Sequence, residues 1–196
     1  LESLIILYLK KRSEMYKVLM LFVLFASTHT LAQANPYRYN SIGVSYENAK
    51  VDGVSDRADG FSFSGELKIN PIFLVSAGYG SYKLSGFDIN ATSIGVDYVH
   101  PLQPGADFLF GFSQTNTEIS GSIGEDTDAS VATNLGLRFR INEHVQSRFK
   151  ISSSEGEEGL SFDLQMFVNP VLGIMFGTEQ SKDVNSTFFG FRYYGL

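Results

Sequence analysis

The chain has 196 residues, room for one domain with a sizeable interior and not for two. It has no cysteine, which excludes a disulfide scaffold, Cys-ligated zinc, iron–sulfur clusters and thiol catalysis. A formal charge of −6 argues against a nucleic-acid partner, and a mean hydropathy of −0.01 excludes a bundle of membrane-spanning helices.

The chain opens on a segment unlike the rest. Met15-Tyr16-Lys17 is followed by the apolar run Val18–Ala26, then polar residues, then Ala32-Gln33-Ala34. A short basic start, an apolar stretch too brief to span a bilayer as a helix, and an Ala-x-Ala ending are the three parts of a secretory signal peptide. The predicted organisation is therefore an upstream, non-native extension over 1–14, a signal peptide over 15–34 whose Ala32-x-Ala34 ending is cleaved after Ala34, and an exported domain over 35–196. An extended signal n-region is the other reading of residues 1–14.

From residue 35 on, apolar and polar residues alternate, the period of strands with two unlike faces. In chain order the apolar face reads Ile42/Val44/Tyr46, Phe61/Phe63/Leu67/Ile69, Phe73/Val75/Ala77/Tyr79, Ile94/Val96/Tyr98 and Phe108/Phe110/Phe112. It continues as Val131/Leu135/Leu137/Phe139/Ile141, Val145/Phe149/Ile151, Leu160/Phe162/Leu164/Met166/Val168, Leu172/Ile174/Phe176 and Phe189/Phe191/Tyr193. These ten segments predict ten strands. Tight breaks at Asn70-Pro71, Pro101–Gly105, Asn142-Glu143 and Asn169-Pro170 alternate with longer acidic ones at Asn48–Gly60, Ser120–Asp128, Ser153–Gly159 and Gln180–Val184 and a short one of that kind at Ser85–Asp88. Such a meander predicts an all-β, closed, antiparallel up-and-down barrel, with eight strands as the alternative to ten.

The polar face decides between a soluble barrel and a membrane one. It is built from Ser and Gly with few charges, too sparse for a water-facing coat, while the other face carries no charge at all, as lipid demands. The chain resembles the small Gram-negative outer-membrane β-barrels, the group of the OmpA transmembrane domain, OmpX and the opacity proteins. The resemblance covers Tyr37–Leu196. It lies in the signal peptide, the even strand number, the short turns and the aromatic last strand Ser186–Leu196, whose terminal Gly195-Leu196 departs from the usual final Phe. It implies an integral protein of the Gram-negative outer membrane, surrounded by lipid and lipopolysaccharide. It also implies assembly through the C-terminal strand by the barrel-assembly machinery. The expected state is a monomer without cofactor, metal or nucleic acid.

Charges sort by location. On the predicted lumen face lie Glu47, Glu66, Asp97, Asp163 and Glu179 with Lys68, Arg138, Arg140, Arg148, Lys150 and Arg192, numbers that nearly cancel and should pair as an ionic plug. A narrow, low-conductance path through it is the alternative. The long loops gather Asp52, Asp56, Asp59, Asp88, Glu125, Asp126, Asp128, Glu155, Glu157, Glu158 and Asp183 against Lys50, Arg57 and Lys182. Such an acidic rim suits divalent cations shared with lipopolysaccharide or a basic partner, and equally a plain solvated surface. Catalysis finds little support. His100 and His144, the two histidines after the signal segment, adjoin tight turns, away from the outer half where a nucleophilic site would sit. The expected function is structural or surface-interacting rather than enzymatic, with a lipid-modifying enzyme as the most remote reading.

Overall fold

A computed structural model describes residues 39–121 and 124–195. The predicted signal segment, with Ala32 and Ala34, lies outside the described residues. Ten strands follow one another: β1 (Ser41–Val51), β2 (Arg57–Asn70), β3 (Phe73–Leu84), β4 (Phe87–Gln103), β5 (Ala106–Gly121), β6 (Gly124–Arg140), β7 (Val145–Ser154), β8 (Glu157–Asn169), β9 (Leu172–Gln180) and β10 (Val184–Tyr193). Each pairs antiparallel with its sequence neighbours, and β1 pairs with β10 from Ile42↔Tyr193 to Val51↔Val184, closing the barrel. Among the described residues no helix is long and apolar enough to cross a membrane; the crossing elements are strands.

Three of the four turns at the end where β1 begins and β10 finishes, the terminal end, share one device. The Asn70 side-chain oxygen accepts from the backbone N–H of Ile72 and Phe73 at 2.9 and 2.8 Å, and Asn169 does the same for Val171 and Leu172. Proline in the next position, with φ already set for a turn, sharpens both reversals. Asn142 caps the β6–β7 turn through the N–H of His144 at 2.8 Å.

The opposite rim departs from expectation. Longer breaks are expected there, yet the one expected over Ser153–Gly159 shrinks to Glu155-Gly156 between β7 and β8, while the short one expected at Ser85–Asp88 is Ser85-Gly86 between β3 and β4. The residues assigned to loops extend the strands instead, so that β4, β5 and β6 reach 17, 16 and 17 residues. Asp59 thus belongs to β2, Asp88 to β4, Glu125, Asp126 and Asp128 to β6, and Glu157 and Glu158 to β8. Backbone pairing continues where apolar alternation stops, because ladder hydrogen bonds do not need an apolar face.

Strand pleating sends alternate side chains to opposite sides. Phe63, Val96, Phe112, Phe176, Phe191 and their like stand exposed on the outer wall, while Leu74, Val99 and Leu109 bury themselves with Tyr39 inside its terminal end. Aromatic pairs mark both edges of the outer band, Tyr46 against Phe61 at 5.5 Å and Phe73 against Tyr98 at 6.2 Å, as in the girdles of membrane barrels. Val96 lies mid-wall, flanked by Val75 and Phe112. Val96→Arg should cost about 2–4 kcal/mol of folding stability in lipid vesicles, measured by denaturant titration. An unchanged midpoint would show that this face does not meet hydrocarbon.

Candidate functional site in the barrel lumen

The register brings a row of charge to one level inside the barrel. Arg138 of β6 pairs with Arg148 of β7, which pairs with Asp163 of β8. Two like charges directly opposed would repel. The structure resolves this from both sides. Arg148 Nε donates to Asp163 Oδ2 at 2.7 Å, and Glu66 reaches in from β2 on the far wall. Glu66 Oε2 accepts from Arg138 Nη2 at 2.8 Å, while its Oε1 accepts from Arg148 Nη1 and lies 3.5 Å from Arg192 Nη1 on β10. One carboxylate thus gathers three guanidinium groups from three strands. Arg138 is wholly buried, and Glu66 and Arg192 are each 6% exposed.

Around this cluster further polar and aromatic side chains meet. The Tyr39 ring carries the Arg138 guanidinium at 4.6 Å and the Lys68 ammonium at 4.4 Å, and its hydroxyl donates to buried Asp107. Stacked cations on an aromatic face gain from the ring's quadrupole, more so where water is excluded. On the other flank Gln146 donates to Gln165 at 2.9 Å, Gln165 donates to Asp163 at 3.0 Å, and the Tyr194 hydroxyl donates to Gln165. Nearer the far rim a separate group forms. Glu47 accepts from Ser62 at 2.6 Å and Tyr82 at 2.7 Å.

Of the eleven predicted lumen residues, Glu66, Arg138, Arg148, Asp163 and Arg192 meet in one cluster, and Lys68 joins through Tyr39. Arg140 turns to the terminal end, donating to the carbonyl oxygens of Asn142 and Glu143 at 3.2 and 3.3 Å. Glu47 belongs to the hydroxyl group above. Asp97, Lys150 and Glu179 occupy inward positions without an ion pair among the described residues. Asp107, Tyr39, Tyr82 and Tyr194 are interior partners that sequence reasoning missed. Asp107 adjoins a turn, and tyrosines are equally at home on a lipid-facing wall.

At the rim, Asp52 and Asp56 lie in the β1–β2 connection, where Asp56 accepts from Ser85 at 2.5 Å. Glu155 sits in the β7–β8 turn, and Glu157 of β8 holds Lys182 at 3.1 Å, a hydrogen bond that raises the lysine's pKa. Among the described residues no three potential metal ligands converge. His100 stacks on Tyr98 at 6.3 Å and His144 lies 3.2 Å from Glu143, both at the terminal end.

An apolar outer wall, a polar interior and a closed ladder together define a β-barrel that spans a membrane. The family model for the outer membrane protein beta-barrel domain matches residues 18–162, and the chain belongs to that family of small outer-membrane barrels. No curated protein matches it. Among solved structures it is similar to the KdgM porin at 9% identity, covering 77% of this chain and 98% of that one with a TM-score of 0.46. It is similar to Neisserial surface protein A at 17% identity, covering 80% and 96% with a TM-score of 0.42. The attachment invasion locus protein Ail of Yersinia pestis follows at 16%, covering 79% and 95% with a TM-score of 0.36.

Proposed function

We propose that this barrel is a non-catalytic, monomeric protein of the Gram-negative outer membrane. Its lumen is closed by the Glu66 cluster, and its work is done as a wall element and at the far rim, which faces outward. The observation that carries the closed lumen is the reach of Glu66 to arginines of β6, β7 and β10, since contacts between opposite walls occupy the space a solute would need. A barrel of this strand number leaves only modest width beyond what side chains fill. Family membership supports the location; lipid and lipopolysaccharide are its proposed surroundings, and the C-terminal strand is the segment proposed to be read during assembly.

Planar-bilayer recording tests the closed lumen. The wild-type protein should give no steady conductance steps at moderate voltage. Steady openings would instead favour a narrow path for ions or small solutes past Asp97, Lys150 and Glu179, the inward charges without an ion pair among the described residues.

A further inference from the structure

The wall leaves one stretch of strand edge uncovered. β5 and β6 pair along their whole length, from Ala106↔Phe139 to Gly121↔Gly124. β6 and β7, however, pair only between Thr133↔Ser153 and Arg140↔Gln146. β7 goes no further because Glu155 and Gly156, with φ of 48° and 85°, form a turn that takes two left-handed residues in succession and starts β8. The half of β6 nearest the far rim, 125–132, therefore has a neighbouring strand on one side only among the described residues.

One hydrogen bond shows which backbone groups face the gap. The Ser154 hydroxyl donates to the Val131 carbonyl oxygen at 2.9 Å, so that carbonyl points away from β5. In an antiparallel ladder the N–H and C=O of one residue point to the same side, and successive residues alternate. Glu125, Thr127, Ala129 and Val131 thus present their main-chain groups to the gap, while Asp126, Asp128 and Ser130 bond to β5. The Thr127 N–H accordingly donates to the Asp126 side chain at 3.0 Å rather than into the ladder.

Exposed edges are normally blunted by charged side chains, Pro or a bulge. This one has neither Pro nor bulge, and the charge that guards it is all acidic, so it repels acidic strands and not basic ones. Glu118 (register partner of Thr127), Glu125, Asp126 and Asp128 line one bank; Glu158 stands on the other beside Glu157, which is paired with Lys182. We infer that the free edge of β6 is a docking strand for a Lys/Arg-rich extended segment of another protein, which adds to the sheet by main-chain hydrogen bonds. The inference rests on the far rim being an outward interaction surface, as proposed above. Charge complementarity selects the occupant, because opposite charge steers encounter and like charge rejects. A second copy fits poorly. Two barrels in one membrane share their up–down sense, so their β6 edges would meet in parallel and set acid against acid.

The test uses the folded protein in detergent micelles and a short synthetic peptide alternating Lys with Thr and Val. We expect saturable binding and slowed amide exchange at Thr127, Ala129 and Val131. Ala129→Pro deletes one edge N–H without touching the β5 ladder and should weaken binding about tenfold or more, with heat-modifiable gel migration unchanged. D126N/D128N should weaken it as well and flatten its salt dependence. Absence of binding, protection elsewhere, or equal affinity of the Ala129→Pro variant would overturn the proposal. So would equal binding of a proline-interrupted peptide of the same charge, which reports charge attraction alone. Conductance is read separately, so a leaky lumen with a protected β6 edge overturns only the closed-barrel reading.

Discussion

Glu66→Leu should destabilise the barrel by about 3–5 kcal/mol and open its lumen, the cost of leaving buried charge without its partner. The carboxylate removed is the one that Arg138, Arg148 and Arg192 share, and Asp163 then remains as the cluster's single acid. Three guanidinium groups cannot stay close in a low-dielectric interior without it. They will separate, draw in water and anions, and convert a plug into a leak. Urea unfolding in micelles reads the stability, and planar bilayers read the leak as conductance steps absent from the wild type. Removing a guanidinium at the same time, as in Glu66→Leu with Arg138→Leu, should restore part of the stability, since apolar replacement of a whole buried pair is often neutral. A single Glu66 variant with wild-type stability and a silent bilayer trace would end the idea that this carboxylate organises the interior.

Gly190→Val should prevent closure of the wall. Gly190 lies on β10 opposite Ser45 of β1, inward in the seam between the first and last strands. A Cβ there would stand 2.2 Å from the Val44 carbonyl oxygen and 2.7 Å from the Ser45 Cα. Both obstacles are backbone, so the strands must part. Overpacking of this kind costs about 1–3 kcal/mol in a core that can adjust, and more where it cannot. Gly65→Val is the matched control. Its added Cβ would point to the outer side and meet nothing nearer than 3.8 Å, the Ser41 carbonyl oxygen. Heat-modifiable migration should persist in Gly65→Val and vanish in Gly190→Val. Equal migration of the two variants would contradict the seam geometry.

How much of this was legible in the residues depends on where hydrocarbon lies. Within the bilayer, alternation is enforced on every strand, so Phe61/Phe63 or Phe189/Phe191 reveal both the strand and the side it faces. Beyond it both faces are polar, and Glu125-Asp-Thr-Asp128 looks like a loop although it continues the ladder with β5. That is why the far connections were expected to be longer than they are. Inward charges such as Glu66 and Arg138 could be assigned to a face by phase alone. Their meeting could not, because residues separated by 72 positions touch across the lumen through the combined stagger of all the strands between them. Asp107 and Tyr39 escaped for a local reason. One borders a turn, the other precedes the first strand, and neither sits in a long enough alternating run to declare its side.

The seam has a consequence for how the molecule is completed. Arg192 rides on β10, the last strand made, and its carboxylate partner Glu66 on β2 is among the first. Until β10 docks, β1 and β10 are both raw edges and Glu66 lacks one of its three cations. The final ladder and the final ion pair therefore form together. Assembly of the interior is an end-of-line check, one that a chain cut short by a single strand could not pass.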